Sequence, residues 1–342
     1  MRKISLNLPD GLSEDNLRAF LRLYEFESWL RELIYLELKT YYGTAWWTEV
    51  ENAFRRRGGI NFDRSFRSDK RHPHMVTPET DPLWFISFET LLRILFAPKF
   101  WGRFKTYLTT KMLLRAKFTE ITAVRNRVAH CRPLHRLDTS RIDSLMTDLD
   151  QGFWNFCTSY NLKYFVGEHD PLHEWVERNR PLTSLSIELF ASVRPSTPRK
   201  KAQKPGPGWF YHIRFIQPNL GRYLDYPAIL RWTRRHHQHV LHIILDSFQH
   251  GLVVTVPTVT PLGSLTALTD SFIRACGNCY SISPLVPVAM PLENPWEEHW
   301  KRMKPFEIIV AEWPHYVLSP AHPFGFLDPD CSCTFFQAAA ES

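Results

Sequence analysis

Phe118-Thr119-Glu120-Ile121-Thr122-Ala123-Val124-Arg125-Asn126-Arg127-Val128-Ala129-His130 is the stretch that decides how the first half of this chain folds. Phe118, Ile121 and Val128 continue an apolar series at helical spacing, so the segment reads as the end of an amphipathic helix. Cys131-Arg132-Pro133 follows at once. The residue before a proline avoids the α region, which predicts a helix end near Ala129. That end carries an arginine, an amide and a histidine inside a basic region. Between Lys99 and Arg136 there are ten Lys or Arg residues and one acid, Glu120.

Cleaving RNA without a metal needs a base for the 2′-hydroxyl, an acid for the leaving 5′-oxygen, and positive charge on the phosphoryl oxygens. Histidine serves as acid or base near neutral pH, and arginine is a permanent, bidentate phosphate donor. Asn126 and His130 are four positions apart and share a helix face, so the amide can orient the imidazole. Arg125 and His130 are about 140° apart around a helix and converge only if it ends or loosens near Ala129. One histidine does not easily act as both acid and base in a turnover, so a two-fold dimer pairing two copies of the segment is expected. The same spacing also suits a plainer role, with Arg125 and Arg127 solvated and His130 capping the helix where its dipole favours a cation. His135 is the second candidate histidine.

Arg125-Asn126-Arg127-Val128-Ala129-His130 resembles the arginine, four residues, histidine motif of the HEPN superfamily, in which a polar residue usually follows the arginine. The segment from Tyr24 to Ile34, running on to Tyr42-Gly43-Thr44-Ala45-Trp46-Trp47, also resembles the first helix of HEPN domains in abortive-infection proteins. The likeness covers roughly residues 12 to 160. It implies a helical bundle that dimerises with both motifs facing one cleft. Many such domains are endoribonucleases that need no metal or other cofactor and leave a cyclic phosphate, acting as toxins or antiviral effectors. By this resemblance Arg125 contacts phosphate, His130 is the acid or base, and Asn126 orients it. Some family members only bind RNA or protein, which is the alternative expectation.

The 342 residues suffice for two ordinary domains, and 44% hydrophobic with 23% charged residues is globular composition. A net charge of +7 and a pI near 9.1 permit a polyanionic partner such as RNA. Lys117, Arg127, Arg132 and the trio Arg55-Arg56-Arg57 are the candidate RNA contacts. No leader of signal length and no run of 18 apolar residues is present, so a cytoplasmic protein without membrane contact is expected. Six cysteines form no disulfide framework.

The first half is predicted as an all-α bundle. Ser13 caps a helix running to Gly43, with Leu17, Phe20, Leu21, Tyr24, Leu30, Leu33, Ile34 and Tyr41 on its apolar face and Glu27 and Arg31 on its polar side. Further helices are expected from Ala45 to Arg57, from Pro82 to Pro98, from Lys99 through the motif, from Thr139 or Ser140 onward, and from Pro171 to Asn179. Residues 61–80 read as a long loop.

Between Arg194 and Gly208 there are four prolines, no acid and no large apolar residue. This predicts a division into residues 1–190 (a HEPN-like bundle), a linker at 191–208, and an α+β domain of unidentified fold at 209–342. An antitoxin or trigger acting on that second domain is the partner it suggests. Strands are expected at Trp209 to Ile216, Leu252 to Val259 and Phe306 to Trp313, and helices at Tyr226 to His250 and Leu265 to Ala275. Arg234-Arg235-His236-His237, with His239 and His242, reads as a solvated basic face rather than a metal site. Cys276, Cys279, Cys331 and Cys333 are the only set that suggests structural zinc, with buried reduced thiols as the plainer reading.

Overall fold

The fold is seen in a computed structural model that describes residues 14–55, 59–60, 82–130, 132–158, 164–179, 185–198, 205–219, 221–246, 250–282 and 315–318. The first half is helical: α1 (Glu14–Tyr42), α2 (Trp46–Phe54), α3 (Phe88–Leu95), α4 (Pro98–Phe104), α5 (Lys111–Ala129) and α6 (Asp138–Thr158). α1 is its axis, and every residue from Leu33 to Tyr41 is buried. Gly43, at φ 57°, ends it in a left-handed turn that a side chain would strain. Phe118 of α5 packs against Phe26 of α1 and Phe88 of α3, with ring centroids 5.7 and 6.4 Å away, so the motif helix is clamped to the axis by aromatic contacts.

The rest of the chain is α+β, built on a six-stranded antiparallel sheet of order β1-β2-β3-β6-β5-β8. Its strands are β1 (Tyr164–Phe165), β2 (Ser186–Val193), β3 (Trp209–Ile216), β5 (His242–Asp246), β6 (Gly251–Pro257) and β8 (His315–Leu318). β4 (Tyr223–Leu224) and β7 (Tyr280–Ser281) form a separate pair. Among the described residues, three helices accompany them: α7 (Pro171–Asn179), α8 (Tyr226–Thr233) and α9 (Leu262–Asn278). Alternation along β3 divides the sheet's faces. Tyr211, Ile213 and Phe215 join the core under α9, where Phe215 stacks on Phe272, while Phe210 joins the core of the helical half.

Several expectations change. Phe20, Leu21 and Tyr24 are each more than half exposed, because the inward stripe of α1 runs through Ala19, Leu23, Phe26 and Leu30 instead. Arg31 is buried rather than on a polar side: it donates to the carbonyls of Leu83 and Ile86 and lies over the Trp84 ring. The helix expected from Pro82 is a 3-10 turn to Phe85 followed by α3, which Ser87 caps by accepting the Thr90 N–H at 3.2 Å. The helix expected from Lys99 divides into α4 and α5 because Thr110 has extended backbone (ψ 140°). Over its described residues, the expected helix from Tyr226 to His250 is α8, a 3-10 turn (Arg234–His239) and then β5, since the β-branched residues Ile243 and Ile244 find partners on β6. His236 and His242 are buried while Arg234 and Arg235 stay exposed, so the basic face is only half solvated. The 61–80 loop and the Phe306–Trp313 strand lie outside the described residues.

The Pro- and Lys-rich stretch joins β2 to β3, which pair along their whole length from Ser186↔Ile216 to Val193↔Trp209. The Arg194 N–H donates to the Gly208 carbonyl at 2.8 Å, and Gly208 holds φ 93° where a Cβ would strike Thr197. Apart from Phe210 and Leu241, which join the core of the helical half, the buried hydrophobic side chains divide between Phe156 and Val166 instead. β1 and β2 thus pair within the sheet, whereas the composition-based division put residues up to 190 with the helices and 191–208 in a linker. Local composition marks a loop, but it does not say which strands the loop joins. Among the described residues, no helix is long and apolar enough to cross a membrane.

The two parts meet through a buried polar seam. Glu37 of α1 and Arg194 are both fully buried, 3.8 Å apart. Glu37 also accepts from the Tyr107 and Ser196 hydroxyls, and the Arg194 guanidinium lies 4.3 Å from the Phe156 ring centroid and 4.9 Å from that of Phe210. Tyr41 hydrogen-bonds Thr197 at 2.8 Å, and the Lys39 ammonium donates to the Val240 carbonyl at 2.7 Å. Burial pushes the Glu37 carboxyl up, only partly opposed by Arg194 and the hydroxyls. Removing one member of such a buried pair costs about 3–5 kcal/mol. Glu37→Ala should therefore lower the urea midpoint of the full chain by that equivalent, and Glu37→Met with Arg194→Met should restore much of it. An unchanged midpoint in Glu37→Ala would show that the pair does not hold the parts together.

Candidate functional site

α5 presents the motif because Leu114, Phe118, Ile121 and Val124 bury one stripe and leave the last turn outside the core. The helix ends where the proline predicts. His130 is its C-cap, with φ −104° and ψ 18°, and the His130 N–H donates to the Asn126 carbonyl at 3.3 Å. The Arg132 N–H then closes on the Arg127 carbonyl at 2.9 Å. The side chains of Asn126 and His130 are exposed, and no hydrogen bond joins them among the described residues.

Arg125 and Arg127, two positions apart, go to different partners. The Arg125 Nε lies 3.7 Å from a carboxylate oxygen of Glu27 on α1. Glu27 is itself tethered one helical turn along by Arg31, which the backbone carbonyls and Trp84 immobilise. Glu27 thus belongs to the site, and the only hint of this in the sequence is its i, i+4 spacing to Arg31. An ion pair as open to water as Arg125–Glu27 is worth about 1 kcal/mol or less, so a phosphate can take its place.

Arg127 reaches Asp138, the first residue of α6, through two bonds of 2.9 and 2.7 Å. Asp138 has no exposed side-chain surface, and it also accepts from the His135 N–H at 2.9 Å and from Arg141 at 3.1 Å. Arg127 is therefore a clamp between α5 and α6 rather than a free RNA contact. Lys117 is likewise engaged by Asp148 and by Ser144 at 3.3 Å. Arg55, Arg132, His135 and Arg136 are exposed, so basic surface continues past His130. Arg56 and Arg57 lie outside the described residues.

Among the described residues, no group of three or more His, Cys, Asp or Glu is placed to hold a metal ion. Cys276 is buried in α9, where burial pushes its thiol up, and Cys279 is half-buried. Cys331 and Cys333 lie outside the described residues. Of the clustered histidines, burial and the nearby Lys39 charge lower His237 to about 4, and burial and His212 lower His242 well below the usual imidazole range. No protein-family model, curated protein or solved structure matches the chain.

Asp138 makes the clamp pH-dependent. Burial would raise its carboxyl, but the His135 N–H and Arg127 outweigh that and hold it below the usual aspartate range. A lowered folded pKa contributes stability that is fully present above the unfolded value of about 3.9 and is lost as pH falls through the folded value. Asp138→Asn should cost about 1–3 kcal/mol at pH 7, with a gap to wild type that narrows below about pH 4. Urea titrations at both pH values check this, and a gap independent of pH would contradict it.

Proposed function

We propose that the chain is a metal-independent endoribonuclease of the toxin or abortive-infection kind, with Arg125, Asn126 and His130 as its reacting group. The observation that carries this reading is an exposed histidine at the open end of α5, with an exposed amide one turn before it and a displaceable arginine alongside. In the reaction, Arg125 leaves Glu27 and takes a non-bridging phosphate oxygen. One His130 removes the 2′ proton, the 2′-oxygen attacks phosphorus, and the P–O5′ bond breaks. The His130 of a second copy protonates the leaving oxygen, so the products carry a 2′,3′-cyclic phosphate and a 5′-hydroxyl. The requirement for two imidazoles is what makes a homodimer through the N-terminal helices part of the proposal.

A second reading is supported by the Arg125–Glu27 contact, since a carboxylate beside the arginine competes with phosphate for it. On that reading the segment is a non-catalytic module that binds RNA or protein. Labelled RNA in EDTA separates the two. Under the nuclease reading, His130→Ala folds, dimerises and binds RNA nearly as wild type, but cleavage falls about 10²–10⁴-fold. Arg125→Lys loses the planar fork and should also be much slower, with Asn126→Ala intermediate. Light scattering should give twice the 40.3 kDa chain mass. Cleavage that needs added magnesium and leaves a 3′-hydroxyl would exclude the histidine mechanism, and no cleavage by wild type would favour the binding module.

A further inference from the structure

A second candidate site lies on the far part of the chain, in a cleft of about 380 Å³ between α8 with its following 3-10 turn and α9. It is lined by Trp232, Arg235, Asp270, Ser271 and Arg274. Trp232 is about half exposed (51%), leaving a large flat aromatic side chain on the surface of the cleft. The Arg235 Nε donates to His236 at 3.0 Å, which holds the guanidinium in place while its two terminal nitrogens find no partner among the described residues. Arg274, also exposed, is anchored by Asp270 at 2.9 Å. At the floor, Ser271 is 2% exposed, and its hydroxyl oxygen has no hydrogen-bond partner among the described residues.

A buried hydroxyl without a partner costs free energy that a ligand group can relieve after a small side-chain rotation. Two of the five lining residues are arginines against one acid, Asp270, so the cleft carries a net positive charge. An indole face, forked cations and short polar groups together suit one ligand chemistry. A flat base stacks on the indole, a phosphate takes the guanidinium fork, and Asp270 or Ser271 meets hydroxyl or amino groups between them. Inorganic phosphate would leave the indole unused, and a purely apolar ligand would leave the arginines unused.

We infer that this cleft binds a nucleotide, with its base on Trp232 and its phosphate on Arg235 and Arg274. The ligand is either a free mononucleotide or one unit of an RNA chain, and the inference does not rest on the ribonuclease reading. Calorimetric titration of the full chain with AMP, GMP, CMP and UMP, alongside adenosine, inorganic phosphate and a uridine oligonucleotide, tests it. At least one mononucleotide or the oligonucleotide should bind about tenfold or more tightly than adenosine or phosphate alone. A further gain of about tenfold on going to the oligonucleotide assigns the chain, and no gain assigns the free nucleotide. Trp232→Ala and Arg235→Ala, both surface changes, should each weaken that binding about tenfold with unchanged circular dichroism, and Arg235→Lys should restore part of it. His130→Ala should leave mononucleotide binding intact, so failure of the nuclease reading and failure of this one are distinguishable. Absence of binding up to about 1 mM overturns the inference, as does binding that Trp232→Ala leaves unchanged or that His130→Ala abolishes.

Discussion

The pairing of Glu37 with Arg194 is the constraint on which the architecture turns. Two charges with no solvent exposure are tolerable only when each has partners, and here the partners come from separate parts of the chain. Glu37 lies on the axis of the helical part and accepts from Tyr107, in the break between α4 and α5, and from Ser196, just beyond β2. Arg194 is held where β2 ends and presses its guanidinium between Phe156 of α6 and Phe210 of β3. Pulling the parts away from each other would expose apolar surface and also strand a buried carboxylate. The neighbouring histidines follow from the same arrangement. His212 bonds Ser192 at 2.8 Å and Thr255 at 3.3 Å, completing a polar row across the sheet beneath α1.

That row shows why the sequence told more about the first half than about the second. Helical order is carried by near neighbours, so the spacing of Leu30, Leu33 and Ile34, the turn at Gly43 and the proline after Arg132 are readable along the chain. The α5 end at His130 and the strand Trp209–Ile216 were legible in this way. Pairing between strands is long-range information. Ser192, His212, Thr255 and His242 lie on four strands, and nothing in their local spacing announces that they share one face. The same limit hid the role of 194–208. A Pro- and Lys-rich stretch looks alike whether it joins two domains or two strands of one sheet, and here strand pairing decides. Where a local period was offset by a single position, as for Phe20, Leu21 and Tyr24, packing selected Ala19, Leu23 and Phe26 for the interior.

The candidate site was legible as residue types but not as partners. Arg125 and Arg127 look equivalent in sequence, yet positions two apart point about 200° from one another around a helix. One faces α1 and the other α6, and the acid each meets has a different burial. Asp138 has no exposed side-chain surface, holds Arg127 through two bonds and is itself fixed by the His135 N–H, so that arginine cannot leave without stranding a charge. Glu27 keeps about a fifth of its side-chain surface exposed, and Arg125 keeps about a third, at a separation of 3.7 Å. Water screens that contact, so the pair contributes little and Arg125 can change partner at small cost. The geometry therefore sorts two arginines, two positions apart, into one that holds the helices together and one free to exchange its partner. The exchangeable one lies on the helix turn that leads to the exposed imidazole of His130.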